Sequence, residues 1–354
     1  FLSKLNGKAA VIPSANLVQH HADCEYPFRQ NSNFWYLTGF DEPDSIALLL
    51  SHKNEGEKYI LFVNPKDHIS EVWQGFRWGL DGAKEVFKAD KSHSISELES
   101  LLPYYLEGAD ELVFSLGKDK KVESLVLEVW SKQLENMSRT GWAPSAIRSP
   151  NLFLNEMRLL KSEYEIGRIK EAAQISAEAH EFVRSHSYKK KNERQLQGLI
   201  EGFFLDKGAR GPAYNSIVAS GDNACVLHYT SNNCELKQGE LVLIDAGCSL
   251  MDYYNGDITR TFPISGKFSG EQKAIYAVVL EAQKIAIRNV IAGVDSNHIH
   301  NAALKVLIDG LKELSLLKGD TDGIIENGSY KHLYMHRTGP VSYTHLRAHE
   351  TKRN

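Results

Sequence analysis

The 354 residues read as two domains of different class, an α/β domain followed by an α+β layer domain. Three observations carry this. In the first part, short β-type runs at Lys8 to Ser14, Ser45 to Ser51, Lys58 to Asn64 and Glu111 to Ser115 are separated by helical stretches such as Lys121 to Glu135. The pattern then breaks between Pro144 and Pro150. Beyond the break, long helical periods come in pairs around apolar strands. These observations set expected domains at 1–150 and 151–336, with a separate tail at 337–354.

Each element of the second domain has a local cause. Ser162-x-x-Glu165 is a capping box ahead of an amphipathic helix carrying Ile166, Ile169, Ala173, Phe182 and Val183. A second helix is expected at about Glu193 to Asp206, Ser269-x-x-Gln272 opens a third, and a fourth runs from about Asn297 to Leu314. Between them, Leu241 to Ile244 is a continuous apolar run of buried-strand type.

That strand delivers Asp245 into its exit, and Gly256-Asp-Ile-Thr-Arg-Thr-Phe262 follows shortly. The polar stretch Ser249 to Asn255 between them, bracketed by Gly247 and Gly256, predicts a β-hairpin. If Asp245 and Asp257 are opposite each other, their Cβ atoms lie about 4.5–5.5 Å apart, close enough to share cations. A carboxylate left in a poor dielectric needs a positive partner, and a divalent cation supplies one. An aspartate after a strand is also an ordinary turn or cap residue.

Composition bounds the function. With 42% hydrophobic and 24% charged residues, the chain has globular values and enough apolar material for a sizeable core. Net charge is −4 and the pI is near 6.4, and runs such as Lys189 to Lys191 lack interleaved aromatics, so nucleic acid is not an expected partner. Cys24, Cys225, Cys234 and Cys248 are too few and scattered for a disulfide framework, which points to a reducing, cytoplasmic compartment. No run approaches the roughly 18 apolar residues of a membrane span. The chain opens on Phe1 rather than Met, which leaves open a leader upstream.

Several ordered motifs resemble one family. D-A-G-C at Asp245 to Cys248 and G-D-I-T-R-T-F-P at Gly256 to Pro263 resemble the metal-ligand hairpin of the aminopeptidase P branch of the pita-bread metallopeptidases. Tyr214 to Gly221 and Leu227 to Thr230 resemble its substrate-pocket segments, and Glu25 to Phe40 resembles the start of its non-catalytic N-terminal domain. The resemblance runs from about Ala9 to His336. It implies a creatinase-type N-terminal domain, a pita-bread catalytic domain, and hydrolysis at a centre of two divalent cations that stabilise the oxyanion. Oxygen-rich coordination suits Mn²⁺, although affinity alone favours Zn²⁺.

By the same resemblance Asp245 and Asp257 are metal ligands and His228 hydrogen-bonds near the scissile carbonyl. His336 corresponds to a second pocket histidine, Tyr214 lines the proline pocket, and Trp73 reaches the active site of a neighbouring subunit, which requires a homo-oligomer. Each residue type also has an ordinary structural use: a half-buried His, a core Tyr, a packing Trp.

Two departures stand out. The two aspartates are twelve positions apart, one more than the usual family spacing, and a loop tip absorbs such an insertion easily. The family's remaining ligands, a His and two Glu, come from later segments, and the position of that His falls here on Pro340. Val341 to Asn354 carries no family motif, and its His345, His349 and Glu350 stand in the wrong order for a zinc helix. A C-terminally truncated, inactive fragment with a non-native tail is therefore expected. Three readings compete: an Xaa-Pro aminopeptidase acting on proline-containing peptides, a prolidase-like dipeptidase, and a non-catalytic pita-bread binding module. The Arg29 to Phe40 block and the Gly221 to Thr230 run favour the first.

Overall fold

A computed structural model describes residues 1–338. It divides into two compact units, the first Phe1–Leu160 and the second beginning at Lys161.

The first unit is built on a six-stranded mixed sheet. Its strands are β1 (Ala9–Pro13), β2 (Ile46–Leu50), β3 (Tyr59–Val63), β4 (Lys91–Ser94), β5 (Leu112–Val113) and β6 (Ile147–Arg148), in the order β4-β3-β2-β1-β5-β6. β2 is antiparallel to both neighbours, with Ala9 opposite Leu50 and Ile46 opposite Phe62. The outer pairs β3/β4, β1/β5 and β5/β6 are parallel. Central strands buried on both faces read as unbroken apolar runs, which is why Ile46 to Leu50 shows no alternation. Ala9, Val11, Leu48 and Phe62 pack beneath α1 (Leu98–Leu106) and α2 (Lys120–Glu135), whereas Ala10, Ile12, Ala47 and Leu61 meet Phe34 and Phe40 on the other face.

The unit boundary lies about ten residues later than the break at Pro150 suggested. Helix α3 (Asn151–Leu159) explains the difference. Its Phe153 ring stands 6.2 Å edge-on from Phe1, and Arg158 donates to Asn33 Oδ1 at 2.9 Å and lies over the Tyr36 ring. These contacts tie the helix to the first unit.

In the second unit α4 (Glu163–His186) and α5 (Glu193–Asp206) cover one face of a three-stranded antiparallel sheet. Ser162 and Glu165 form the reciprocal capping box that the sequence signals, and Asn192 caps α5. A short ribbon pairs β7 (Gly211–Pro212) with β10 (Cys248–Ser249); the sheet proper is β8 (Ile217–Ser220), β9 (Leu241–Asp245) and β11 (Thr259–Pro263), with β9 central. Val242, Ile244, Val218 and Phe262 face Ala172, Ile175, Ala179, Leu196 and Ile200 of the helices. Leu243 and Asp245 alternate to the opposite, half-buried face. Helices α6 (Gly270–Arg288) and α7 (Ser296–Glu313) pack on each other through Ala282, Ala286 and Ala303, and α8 (Thr321–Asn327) sets Ile324 against Leu304 and Ile308 of α7.

The expected hairpin joins β9 to β11. Leu241 pairs with Pro263 and Asp245 with Thr259, and the pairing continues to a bridge between Ser249 and Asn255. Within it β10 (Cys248–Ser249) turns aside to pair with β7, Cys248 opposite Pro212. The tip is pinned to α4: Arg168 makes a two-pronged bond to Asp252 at 2.6 and 3.1 Å, and the Tyr164 hydroxyl donates to Asp252 at 2.9 Å.

Gly247 and Gly256 are close-contact glycines, and neither has the positive φ of a turn former. A Cβ on Gly247 would lie 2.0 Å from the Gly256 carbonyl oxygen, and one on Gly256 would lie 2.2 Å from Ser176 Oγ and 2.7 Å from the Ala172 carbonyl. Gly167 in α4, by contrast, has nothing within 4 Å of its absent Cβ. Gly247→Ala should therefore destabilise the unit by about 1–3 kcal/mol through overpacking against backbone. Gly167→Ala should stabilise it by about 0.5–1 kcal/mol by removing unfolded-state entropy. Denaturant midpoints of the two variants, read against wild type, check both signs.

Candidate metal centre

The hairpin register puts Asp245 and Asp257 on one face of neighbouring strands, though not directly opposite each other. Asp245 is across from Thr259, so Asp257 is its diagonal neighbour, with Cα atoms about 7–8 Å apart by sheet geometry. The one-residue-longer connection does not bring the two into direct opposition. Their carboxylates are drawn together by a third residue.

That residue is Tyr214, from the loop between β7 and β8. Its hydroxyl lies 2.6 Å from Asp245 Oδ1 and 3.0 Å from Asp257 Oδ1. Burial, the charge of Asp245 and the hydrogen bond to it push the phenol far above its ordinary pKa, so it stays neutral and holds one proton. One hydroxyl proton serves one acceptor. The other carboxylate faces a lone pair of that hydroxyl. Asp245 also accepts from Thr259 Oγ1 at 2.8 Å, which orients its other oxygen.

The back of the hairpin is held by a stripe on α4. Ser176 Oγ donates to the Ala172 carbonyl at 2.7 Å and accepts the Cys248 N–H at 3.0 Å. His180, one turn on, has its imidazole pKa lowered by burial and is neutral; its Nε2 donates to the Ala246 carbonyl at 3.0 Å, beside Asp245. Sequence reasoning missed this histidine, although the spacing Ala172, Ser176, His180 marks one helix face. It also missed Glu193, a fully buried carboxylate at the start of α5, because an acidic residue in a first helical turn ordinarily serves the helix dipole at the surface.

The remaining expected residues are dispersed. His228 is exposed in the segment after β8 and makes no hydrogen bond among the described residues. His336 is exposed, with Nδ1 2.7 Å from the Arg337 carbonyl oxygen and its ring near Tyr334, and no contact among the described residues joins it to the aspartates. Trp73 is 84% exposed on a short helix, His68–Gln74, of the first unit. Pro340, His345, His349 and Glu350 lie outside the described residues.

The pair therefore fits a hard divalent cation by its chemistry, two carboxylates around one shared hydroxyl, but it is incomplete. Among the described residues no group of three or more His, Cys, Asp or Glu is arranged to hold a metal. No helix among them is long and apolar enough to cross a membrane.

Comparison with known proteins identifies the class. Residues 167–352 match Metallopeptidase family M24, and residues 1–114 match the Aminopeptidase P, N-terminal domain. The first match extends past His336, to residue 352. The Xaa-Pro aminopeptidase of Escherichia coli K12 is 38% identical over 330 residues, 93% of this chain and 75% of that protein. The Haemophilus influenzae enzyme of the same name is 41% identical over 318 residues, 90% of this chain and 71% of that one. Among solved structures, Pseudomonas aeruginosa aminopeptidase PepP superposes with a TM-score of 0.88 at 38% identity, covering 94% of this chain and 74% of that one. An E. coli aminopeptidase P variant in complex with substrate gives 0.87 at 38%, covering 94% and 75%.

Fold and site together define an M24 metallopeptidase domain of pita-bread type, present in part, behind an α/β N-terminal domain. The chain belongs to the aminopeptidase P family.

Two carboxylates held against one hydroxyl repel each other when no cation is present. Asp257→Asn keeps the shape and removes one charge, so its melting temperature without metal should equal or exceed that of wild type. Its rise on adding Mn²⁺ should vanish. Paired melting curves test this; a wild-type Mn²⁺-dependent rise in the variant would make Asp257 a turn residue only.

Proposed function

We propose that the complete centre to which this chain contributes removes the N-terminal residue from peptides whose second residue is proline. The observation that carries the reading is the Tyr214 hydroxyl between Asp245 and Asp257, in a chain 38–41% identical to two Xaa-Pro aminopeptidases. Asp245 and Asp257 would hold two divalent cations, with Mn²⁺ favoured by the hardness of the donors. When bound, the metals supply Lewis-acid polarisation of the scissile carbonyl.

The chain's own residues have separable tasks in this reading. Tyr214 keeps its proton and fixes the spacing of the two carboxylates while its ring borders the proline side of the pocket. His228, exposed in the segment after β8, donates toward the scissile carbonyl in the complete centre. His336 is the second pocket histidine, and Trp73, on the exposed helix of the first unit, meets the site of another copy in a homo-oligomer. A cytoplasmic location accords with four unpaired cysteines.

The present chain, with two of the carboxylates and no third ligand among the described residues, is proposed to be inactive. Ligand number and a shaped site set metal affinity. Calorimetric titration should accordingly give Mn²⁺ dissociation constants no tighter than about 10⁻⁴ to 10⁻³ M, the range of sparse oxygen sites. No turnover of Ala-Pro-Ala is expected. Micromolar binding with peptide cleavage would contradict the inactivity and imply ligands from beyond residue 338. For substrate choice, a parent enzyme with the full ligand set should cleave Ala-Pro-Ala; turnover of Ala-Pro alone would move the assignment to a prolidase.

A further inference from the structure

The segment that carries His228, from Ser220 to Cys234, has little apolar anchorage. Val226 and Leu227, immediately before the histidine, are 56% and 50% exposed. Hydrophobic burial therefore does not hold this stretch in shape, and its conformation depends on polar ties.

Most of those ties converge on one side chain. Glu193 is 0% exposed, and its carboxylate accepts five hydrogen bonds. Oε1 takes the Ser220 N–H at 2.8 Å, the Ser220 hydroxyl at 2.8 Å and the Asn223 amide at 3.1 Å. Oε2 takes the Tyr229 hydroxyl at 2.8 Å and the Cys234 N–H at 2.9 Å. The Glu193 N–H closes the circuit by donating to the Cys234 carbonyl at 3.0 Å. Burial opposes ionisation, yet the N–H groups of Cys234 and Ser220 and the side chains of Asn223 and Tyr229 outweigh it and hold the carboxyl below the usual range. The position of Glu193 at the start of α5 adds the favourable end of the helix dipole.

We infer that Glu193 is the positioning residue of the His228 segment: by accepting from Ser220, Asn223, Tyr229 and Cys234, its carboxylate sets where His228 presents its ring. All four partners lie in one segment, on both sides of His228. Asn232 supports the same stretch from the side, with Oδ1 accepting the Val218 N–H and Nδ2 donating to the Ser216 carbonyl and to Gln197. The role of His228 toward substrate rests on the function proposed above; the tether does not.

Glu193→Gln discriminates, because an amide is nearly isosteric but exchanges one acceptor oxygen for a donor. Tyr229 can turn its hydroxyl to accept, but the Cys234 and Ser220 N–H groups cannot, so at least one buried donor is orphaned. In the full chain, hydrogen exchange of amides 220–234 should accelerate by about tenfold or more, consistent with losing bonds to a charged acceptor. Exchange in β9 and α4 should stay within twofold, and the His228 imidazole NMR resonance should shift or broaden. Asn223→Ala and Tyr229→Phe each remove one donor without burying a new polar group, and should accelerate the same amides by at least threefold if Glu193→Gln does not fold. Exchange of 220–234 unchanged within twofold would overturn the inference, as would an acceleration spread equally over β9 and α4. Neither readout needs metal or turnover. A wild-type His228 resonance left unmoved by added Ala-Pro-Ala would count against the peptidase reading alone.

Discussion

The site depends on one close approach. Within the hairpin from β9 to β11 Gly247 closes on the Gly256 carbonyl, and where the hairpin meets α4 Gly256 closes on the Ala172 carbonyl and the Ser176 hydroxyl. Asp245 stands two residues before the first glycine and Asp257 directly after the second. A Cβ at either glycine would sit far inside van der Waals contact and push these groups apart, disturbing the placement that lets one hydroxyl touch both carboxylates. The polar stitching on the helix side, Ser176 to Cys248 and His180 to Ala246, satisfies the backbone groups that this pinch would otherwise leave buried and unpaired.

The sheet supplies the chemistry by division of faces. Val242 and Ile244 are buried against α4 and α5, which fixes the register of β9 and thereby commits Leu243 and Asp245 to the other side. Tyr214 then closes the face from a loop, and the segment after β8 that carries His228 is tethered by Glu193. Two acidic solutions stand side by side. Glu193 is a carboxylate that accepts from five donors and needs no cation, whereas Asp245 and Asp257 gather around one phenolic hydroxyl, with Thr259 Oγ1 also donating to Asp245.

Much of the scaffold was legible because local signals agreed with the fold. The capping boxes at Ser162 and Ser269 start helices where the pattern predicted, and the helix expected at Glu193 to Asp206 has those bounds. Long apolar runs became the central strands β1, β2 and β3. Lys91–Ser94 and Ile147–Arg148 went unseen, since short outer strands carry little hydrophobic pattern. Pro150 marked a break in secondary structure, but Phe153 and Arg158 carry α3 back to the first unit. At the site, residue types and the shared face of the aspartates were readable, whereas the diagonal offset, the bridging hydroxyl and the Glu193 circuit are products of tertiary packing. Glycine identity alone likewise could not distinguish a turn from a close contact at Gly247 and Gly256.

The central claim is that Asp245 and Asp257, gathered by Tyr214, are the metal-holding part of this chain. Anomalous scattering at the manganese edge from crystals grown in millimolar Mn²⁺ tests it most directly. The account predicts a peak between the two carboxylates, adjacent to the Tyr214 hydroxyl and lost in Asp245→Asn. A peak confined to another part of the chain, such as the exposed His20, His21 and Cys24 hairpin, with none at the aspartates, would contradict it.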